Sequence, residues 1–261
     1  MLRPRVIPCL LVKNGGLVKT VKFDSPKYVG DPLNAVRIFN EKEVDELIVL
    51  DIDATAQNRE PDYKLIRSLA AECRMPLCYG GGIKTVDHIQ RIVSLGVEKV
   101  ALSSAAVSSP SLISDAAARV GSQSIVVVLD IRKKGLIGSR YEVYTQNGRH
   151  PTGFGPVELS ERAQALGAGV VVINSIDADG AMKGYDLDLV KQVRKATSLP
   201  LTALGGAGSL ADIAKLVGSF GLIGAAAGSL FVFKGVYRAV LINYPNRAEK
   251  DLLLSRALGL R

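Results

Sequence analysis

The sequence is poor in the residue types that build metal, redox and nucleophilic sites. Its 261 residues include no tryptophan, two histidines and three cysteines. Cys9, Cys73 and Cys78 are spaced unlike any zinc-binding pattern, so we expect reduced thiols in a core. His88 and His150 fall within a helical stretch and a loop, away from any predicted strand end. We expect neither a metal nor another cofactor, and no catalytic histidine.

The sequence also lacks long apolar runs. No stretch reaches the roughly 18 to 20 apolar residues that a membrane helix needs. The start, Met1–Val6, contains no apolar segment of the kind found in secretory signals. Hydrophobic residues still make up 48% of the chain, enough for a large core. We therefore expect a cytoplasmic protein without a membrane contact.

Aromatic residues make up only 5% of the chain, and the 25 acidic residues are fewer than the 33 basic ones, a formal net charge of +8. A positive surface attracts nucleic acids, acidic membranes or anionic metabolites. The basic residues are spread along the whole sequence without interleaved aromatics or a known nucleic-acid motif. We expect no nucleic-acid partner and favour a phosphorylated small molecule.

What the sequence does contain is a regular alternation of short apolar runs with amphipathic stretches. Capping residues such as Asp31, Thr85 and Ser209 precede several of these stretches. Eight runs of this kind in about 250 residues predict a single α/β domain, a (β/α)8 barrel. The predicted strands are Val6–Leu11, Glu46–Leu50, Leu77–Tyr79, Lys99–Leu102, Ser124–Leu129, Val170–Ile173, Leu201–Leu204 and Leu222–Ala225.

Two glycine-rich turns, Gly80–Ile83 and Gly205–Gly208, recur at an offset of 125 residues. Nearly the same offset links Leu50–Ala54 to Ser175–Gly180, which indicates two copies of a half-barrel. Glycines between a strand and a helix let backbone N–H groups point at an anion, and a helix N-terminus favours negative charge. Two such turns suit a ligand that carries two phosphates.

Asp130 follows the apolar run 125–129, at the end of the barrel that carries the active site in this architecture. A carboxylate is costly to bury there, and we interpret it as a general acid or base. A salt bridge to Arg132 or Lys133 is the alternative. When the two halves are aligned, Leu11 matches Asp130. Only the second half therefore has a carboxylate at this strand end.

Other polar residues on the same face are candidate contacts to a phosphorylated ligand. Asp51, Asp177 and Asp179 follow predicted strands, and such acids bond either ligand hydroxyls or backbone amides. Hydroxyl and N–H groups after the fourth and eighth strands can donate to phosphate. The candidate contacts are Lys19, Gly82, Ser103, Ser104, Asp179, Gly180, Gly205, Gly206, Gly228 and Ser229.

Two connections are longer than the others. Residues 12–30 contain four lysines and several glycines, which is typical of a mobile lid over a site, with a solvated loop as the alternative. Residues 140–154 alternate apolar and polar side chains before the turn 146–149, which predicts a small hairpin to which we assign no chemistry.

Arg5, Glu46 and Lys99 fall at the beginnings of three predicted strands, on the face opposite to the active site. Two basic groups and a carboxylate around the bottom opening of a barrel predict an ion-pair cluster that stabilises the fold. A gated entrance is the alternative.

Segments along the chain, from Met1 to about Phe233, are similar to the cyclase subunit of imidazole glycerol phosphate synthase, in the barrel family of histidine-biosynthesis proteins. The matching segments include Cys9–Lys13, Gly30–Pro32, Asp45–Leu47, Gly80–Ile83, Gly121–Gln123, Ser175–Gly180, Gly184–Asp186 and Gly205–Gly208.

The resemblance implies a (β/α)8 barrel that forms a heterodimer with a glutaminase. Ammonia from that partner enters at the bottom and passes through the barrel to a phosphorylated substrate at the top. Arg5, Glu46 and Lys99 match the entrance gate of the family. The family also includes similar proteins in bacterial surface-polysaccharide (lipopolysaccharide) pathways, which resemble partners in converting the acetamido group of a sugar into an acetamidino group. A phosphorylated or nucleotide-sugar substrate is implied.

Four positions depart from the family pattern. The family ends its first strand in Cys-Leu-Asp-Val-Lys, with one of two catalytic carboxylates, where this chain has Leu11. Asp130 matches the other carboxylate. Ser103 replaces an asparagine, Leu204 a serine and Val170 a gate carboxylate. The resemblance thus implies an ammonia-using synthase subunit with a different substrate; the ordinary cyclase reaction is the alternative, and a noncatalytic barrel that stimulates a glutaminase is a third interpretation.

Overall fold

The computed structural model describes residues 3–135 and 140–259. Met1 and Leu2 lie outside the described residues. Both residues belong to the segment that resembles the cyclase family and to the start in which no secretory signal is expected. The strands are β1 (Arg5–Lys13), β2 (Gly16–Val21), β3 (Asp24–Gly30), β4 (Leu47–Asp51), β5 (Leu77–Gly80), β6 (Lys99–Leu102), β7 (Ile125–Lys134), β8 (Arg140–Thr145), β9 (His150–Pro151), β10 (Val170–Ser175), β11 (Leu201–Leu204), β12 (Gly224–Ala227), β13 (Phe233–Lys234) and β14 (Ala239–Val240). The helices are α1 (Pro32–Glu41), α2 (Tyr63–Glu72), α3 (Val86–Ser94), α4 (Ser104–Ser108), α5 (Ser111–Val120), α6 (Pro156–Ala165), α7 (Leu187–Ala196), α8 (Leu210–Phe220), α9 (Ser229–Val232) and α10 (Arg247–Ala257), with a 3-10 turn at Ser122–Ser124.

Eight strands pair in parallel and close into a barrel in the order β1, β4, β5, β6, β7, β10, β11 and β12, with β12 against β1. The predicted (β/α)8 barrel is confirmed, and each predicted strand overlaps an observed one. The last strand begins at Gly224, two residues after its predicted start. Asp31, Thr85 and Ser209 cap α1, α3 and α8 with side-chain hydrogen bonds to backbone N–H groups.

The half-barrel repeat is visible in the connections. Strands β1 and β7 each continue into an antiparallel hairpin, β2–β3 in the first half and β8–β9 in the second. Asp62 and Asp186 cap α2 and α7 with the same backbone angles, φ −76° and ψ 87°. Asp53 accepts a hydrogen bond of 2.9 Å from the N–H of Asn14, just after β1, and Asp177 accepts one of 2.8 Å from the N–H of Lys133, near the end of β7. The two halves are thus built alike.

Residues 12–30 fold differently from the loop that their sequence suggests. They contain β2 and β3, which extend β1 as an antiparallel sheet. Leu17, Val18, Lys19 and Thr20 are buried. The pairing shifts register between residues 17 and 18 and between 19 and 21. Such bulges break the two-residue alternation by which a strand is recognised in a sequence.

The interior of the barrel is apolar between its two ends. Successive side chains of a strand point to opposite sides, so alternate residues face the interior. Cys9 and Cys78 lie there as free thiols, and Cys73 is a half-buried free thiol elsewhere. The buried interior residues are Ile7, Cys9, Ile48, Cys78, Ala101, Val126, Val128, Val170, Val172, Leu204 and Ala226.

Candidate active site

A cavity of about 260 Å³ opens at the carboxyl ends of the barrel strands. All eight barrel strands and the connections beyond β1 and β7 contribute to its lining. Asp130 lies in it together with all ten candidate ligand contacts, namely Lys19, Gly82, Ser103, Ser104, Asp179, Gly180, Gly205, Gly206, Gly228 and Ser229. The topology therefore brings together residues that span most of the sequence, as expected for the carboxyl end of a barrel.

Asp130 is buried in this cavity, on the inward side of β7. Its carboxylate accepts hydrogen bonds from Ser103 Oγ at 3.1 Å and from Asn174 Nδ2 at 2.8 Å. Burial raises the pKa of Asp130 to about 6, although the two hydrogen bonds lower it. Arg132 lies near Asp177 instead, at 3.9 Å, so the salt bridge considered for Asp130 is absent from the described residues. Asp130 can exchange a proton near neutral pH.

Asn174 is a site residue that the sequence reasoning missed. It follows the run 170–173 on β10 just as Asp130 follows 125–129 on β7, and that shared position was the available signal. The register pairs Asp130 with Asn174 in the second half and Leu11 with Leu50 in the first. One half therefore has a carboxylate with its donor where the other half has two apolar side chains.

Both glycine turns line the cavity, and each needs glycine for its own backbone. Gly81 and Gly82 have φ values of 121° and 72°, and Gly205 and Gly206 have 91° and 109°. A Cβ on Gly206 would lie 2.1 Å from the backbone oxygen of Gly184. The turns thus have a structural reason to be glycine-rich, in addition to the exposure of backbone N–H groups to a ligand.

Lys19 lies on β2, within the hairpin and not on an irregular loop, and it is 5% exposed. Its Nζ donates a hydrogen bond of 2.5 Å to the backbone oxygen of Cys9. The same nitrogen packs against Gly228, where a Cβ would meet it at 2.5 Å. Burial lowers the pKa of Lys19. Since an ammonium group has three N–H donors, Lys19 can bind an anion beside Gly228 while it keeps its bond to Cys9.

The acids at the strand ends mostly bond backbone and hairpin groups. Asp51 accepts hydrogen bonds of 3.0 and 3.1 Å from the backbone N–H groups of Asp53 and Ala54. Asp179 accepts one of 2.7 Å from Thr20 Oγ1 and holds the β2–β3 hairpin against the barrel. Of the three acids considered, Asp51 and Asp179 line the cavity and Asp177 is not part of the lining.

The second hairpin contributes to the cavity, although its sequence suggested no chemistry. Asn147 and Arg149, from the turn between β8 and β9, lie in the lining. Asn147 Nδ2 donates a hydrogen bond of 2.6 Å to the backbone oxygen of Ile52, and Ser104 Oγ accepts one of 3.1 Å from the N–H of Gln146. These bonds fix the turn over the opening, and Arg149 adds a further cation to the cavity.

Arg5, Glu46 and Lys99 come together at the opposite end of the barrel. Glu46 is 5% exposed. It pairs with Arg5 through one carboxylate oxygen and with Lys99 Nζ through the other, at 2.7 Å. Val170 belongs to the apolar interior cluster and adds no charge. The three charged groups stand at the bottom of the apolar interior, whose top is the cavity that contains Asp130.

Within residues 3–135 and 140–259, no group of three histidine, cysteine, aspartate or glutamate side chains could hold a metal ion. No helix in this part of the chain is both long and apolar enough to cross a membrane.

Comparison with known proteins shows the family. The family model described as "Histidine biosynthesis protein" matches residues 5–238. A protein of Vibrio vulnificus provisionally named imidazole glycerol phosphate synthase subunit hisF3 is 60% identical and covers 97% of both chains. One of Pseudomonas aeruginosa, provisionally named subunit hisF2, is 53% identical over 97% of this chain and all of its own. The imidazole glycerol phosphate synthase subunit HisF of Alkaliphilus metalliredigens is 40% identical over 90% and 93% of the two chains. The barrel, the two glycine turns and these similarities establish that the chain belongs to the histidine-biosynthesis proteins and, among them, to the HisF family of cyclase subunits.

Proposed function

We propose that the chain is the ammonia-using subunit of a glutamine amidotransferase whose substrate differs from that of the histidine pathway. The observation that carries this proposal is that only one of the two matching strand positions, 130 and 11, holds a carboxylate. Asp130 is held by two donors, whereas Leu11 occupies the matching position of the other half. A general acid or base contributes about 10²- to 10⁴-fold to a rate, so a reaction that needs two such groups would be slow here.

We infer that a glutaminase covers the cluster of Arg5, Glu46 and Lys99 and forms a heterodimer with this chain in the cytoplasm. The buried ion pairs stand where an entrance to the interior would open. The interior above them is apolar, so it suits neutral ammonia and disfavours ammonium, for which desolvation is costly. Ammonia would thus reach the cavity of Asp130 without mixing with bulk water.

For the accepting substrate we propose a phosphorylated or nucleotide-linked sugar of a surface polysaccharide, whose acetamido group becomes an acetamidino group. Nitrogen from ammonia replaces the carbonyl oxygen, which leaves on the phosphate or nucleotidyl group that activated it. The carbonyl must first be activated by a nucleoside triphosphate, which requires a further enzyme. The names hisF2 and hisF3 of two relatives suit additional copies of a HisF subunit with a separate task.

The ordinary cyclase reaction is the second candidate, and the 40% identity with a HisF protein supports it. In that reaction ammonia splits phosphoribulosyl-formimino-aminoimidazole carboxamide ribotide into imidazole glycerol phosphate and the carboxamide ribotide. The two glycine turns suit its two phosphates. Asp130 would then have to assist the cyclase reaction without a second carboxylate at position 11.

The deciding experiment measures turnover of the histidine-pathway substrate by the purified chain with ammonium salts. We expect a rate at least about a hundredfold below that of an ordinary cyclase, the lower bound for one missing proton-transfer group. Leu11→Asp should raise the rate, whereas the matched change Leu50→Asp on the neighbouring strand should not.

Wild-type turnover within about tenfold of an ordinary cyclase, a barrier difference of about 1.4 kcal/mol, would support the second candidate. Asp130→Asn separates an enzyme from a mere activator. If this variant loses turnover with the native substrate but still stimulates the glutaminase, the barrel is catalytic.

A further inference from the structure

A second cavity, of about 280 Å³, lies beside the active-site cavity. The two share Lys19, Thr20 and Ser229 in their linings. The outer side of the second cavity is formed by Lys27 from β3 and by residues of the β13–β14 hairpin. The ammonia chemistry proposed above makes no use of this space.

The charge of the second cavity is unbalanced. Lys19, Lys27 and Arg238 line it, and no acidic residue is among the described residues of its lining. The register of β2 and β3 sets Lys19 directly opposite Lys27, an arrangement that destabilises a sheet. Within the described chain, none of the three cations forms an ion pair, although Asp179 acts on Lys19 from a greater distance. An anion in this cavity would relieve the repulsion.

The cations at the outer side are held in position by an aromatic ring. Lys27 Nζ lies 5.6 Å from the centre of the Phe233 ring, and the guanidinium carbon of Arg238 lies 5.5 Å from it. Arg238 Nη2 also donates a hydrogen bond of 2.7 Å to the backbone oxygen of Gly180. Because a guanidinium has five N–H donors, Arg238 keeps several for a ligand. The two cations are therefore preorganised for a phosphate.

An aromatic side chain with free faces stands next to these cations. Tyr237 lies at the tip of the β13–β14 hairpin and is 96% exposed, yet it belongs to the lining of the second cavity. Stacking on an aromatic ring stabilises a bound nucleobase of any type, because every base has a π-face. A phosphate near Arg238 would bring an attached nucleoside within reach of Tyr237.

We propose that the second cavity binds the nucleoside diphosphate part of the substrate. One phosphate lies between Lys27 and Arg238, the other contacts Lys19 and Ser229, and the base stacks on Tyr237. The sugar on the second phosphate extends through the shared lining into the cavity of Asp130. This inference rests on the proposed function, because it makes the accepting sugar a nucleotide sugar, and it involves binding alone.

The test is isothermal titration calorimetry of the full chain, with UDP as the probe and ADP, uridine and pyrophosphate as comparisons. We expect a nucleoside diphosphate to bind at least about tenfold more tightly than uridine or pyrophosphate, a difference of about 1.4 kcal/mol. Lys27→Gln and Arg238→Gln should each weaken its binding about tenfold, as expected for a hydrogen bond to a charged group. Tyr237→Leu should weaken nucleotide binding and leave pyrophosphate binding unchanged.

Two neighbouring variants serve as matched controls. Lys234→Gln removes a charge from the same hairpin, and Val236→Ala truncates the exposed residue beside Tyr237, and neither residue lines the second cavity. Both variants should bind UDP with the wild-type affinity within about twofold, because they remove no contact and change at most the long-range electrostatic potential. Because Arg238 also bonds Gly180, thermal unfolding is used to check that the Arg238→Gln variant is folded. Lys27 is exposed, so Lys27→Gln tests the site without this effect on folding.

Equal losses of affinity for UDP in Lys27→Gln and Lys234→Gln would overturn the proposal. So would a result in which pyrophosphate or uridine binds as tightly as every nucleoside diphosphate. The measurement uses neither ammonia nor a glutaminase. Normal nucleotide binding combined with no ammonia transfer to any nucleotide sugar would therefore contradict the proposed function and leave this binding site intact.

Discussion

Asn174 donates a hydrogen bond of 2.8 Å to Asp130 from the paired position on the neighbouring strand. The equivalent pair in the other half, Leu11 and Leu50, has neither a carboxylate nor a donor. The twofold barrel is thus chemically one-sided at the level of Asp130 and Leu11. Burial brings the pKa of Asp130 to about 6, and the bond from Asn174 limits that rise.

Asn174→Leu, which copies Leu50 of the other half, should raise the pKa of Asp130 above about 6. The hydrogen bond from Asn174 favours the charged carboxylate, so its loss shifts the equilibrium towards the protonated form. Carbon-13 NMR titration of the aspartate carboxyl groups measures this pKa. Ser103→Ala, which removes the longer bond of 3.1 Å, should cause a smaller rise. An unchanged pKa in both variants would contradict the account of Asp130.

Asp130→Asn should stabilise the chain at pH 8 by about 2 kcal/mol. The pKa of Asp130 rises from 3.8 to about 6 on folding. The native carboxyl therefore keeps its proton where the unfolded one has lost it, and stability falls as the pH rises from about 4 to about 6. A shift of this size corresponds to about 3 kcal/mol at most.

Denaturant unfolding at pH 4.5 and pH 8 measures this difference. The gain from Asp130→Asn should be less than half as large at the lower pH, which lies above the unfolded pKa of 3.8 and well below the native pKa of about 6. Asp115→Asn on α5, at an exposed position, is the matched control and should change stability little at either pH. A gain of the same size at both pH values would point to packing instead of charge.

Lys99→Met should uncouple the two ammonia sources in the complex with the glutaminase. It removes one of the two cations that hold Glu46 and leaves the upper cavity untouched. Turnover with added ammonium should stay within about twofold, whereas product formed per glutamine hydrolysed should fall at least about threefold, a difference of about 0.7 kcal/mol. Lys64→Met, on the exposed side of α2, should change neither quantity. Equal losses with both sources would make Lys99 a residue of stability alone.

Gly206→Ala should lower the stability of the chain, whereas Gly228→Ala should lower its affinity for an anion. At Gly206 the new Cβ would lie 2.1 Å from a backbone oxygen with φ at 109°, so we expect a loss of about 3 kcal/mol or more. At Gly228 it would meet Lys19 Nζ, the end of a flexible side chain. Gly228→Ala should therefore fold and bind pyrophosphate more weakly, because Lys19 is displaced.

Thermal unfolding and calorimetric titration with pyrophosphate distinguish these outcomes. Wild-type affinity in Gly228→Ala would mean that Lys19 does not contact the anion. A fully stable Gly206→Ala would show that the turn tolerates a different backbone path.

Much of the barrel could be predicted from local patterns. Eight short apolar runs that alternate with capped amphipathic stretches are compatible with only a few folds. All eight runs overlap strands of the barrel. The apolar alternation along residues 12–30 was harder to recognise, because two shifts of register interrupt it. The lysines there indicated a loop, while Lys19 is in fact buried on a strand.

The sequence by itself determined the closed barrel, the two glycine turns and the presence of one carboxylate where two aligned positions exist. Those features depend on residue type and on spacing along the chain. The tertiary structure decided that Asn174 supports Asp130, and that the β2–β3 hairpin meets Arg238 around a second cavity. Such contacts join residues far apart in the sequence, and they follow from strand register and hairpin packing, which no local pattern encodes.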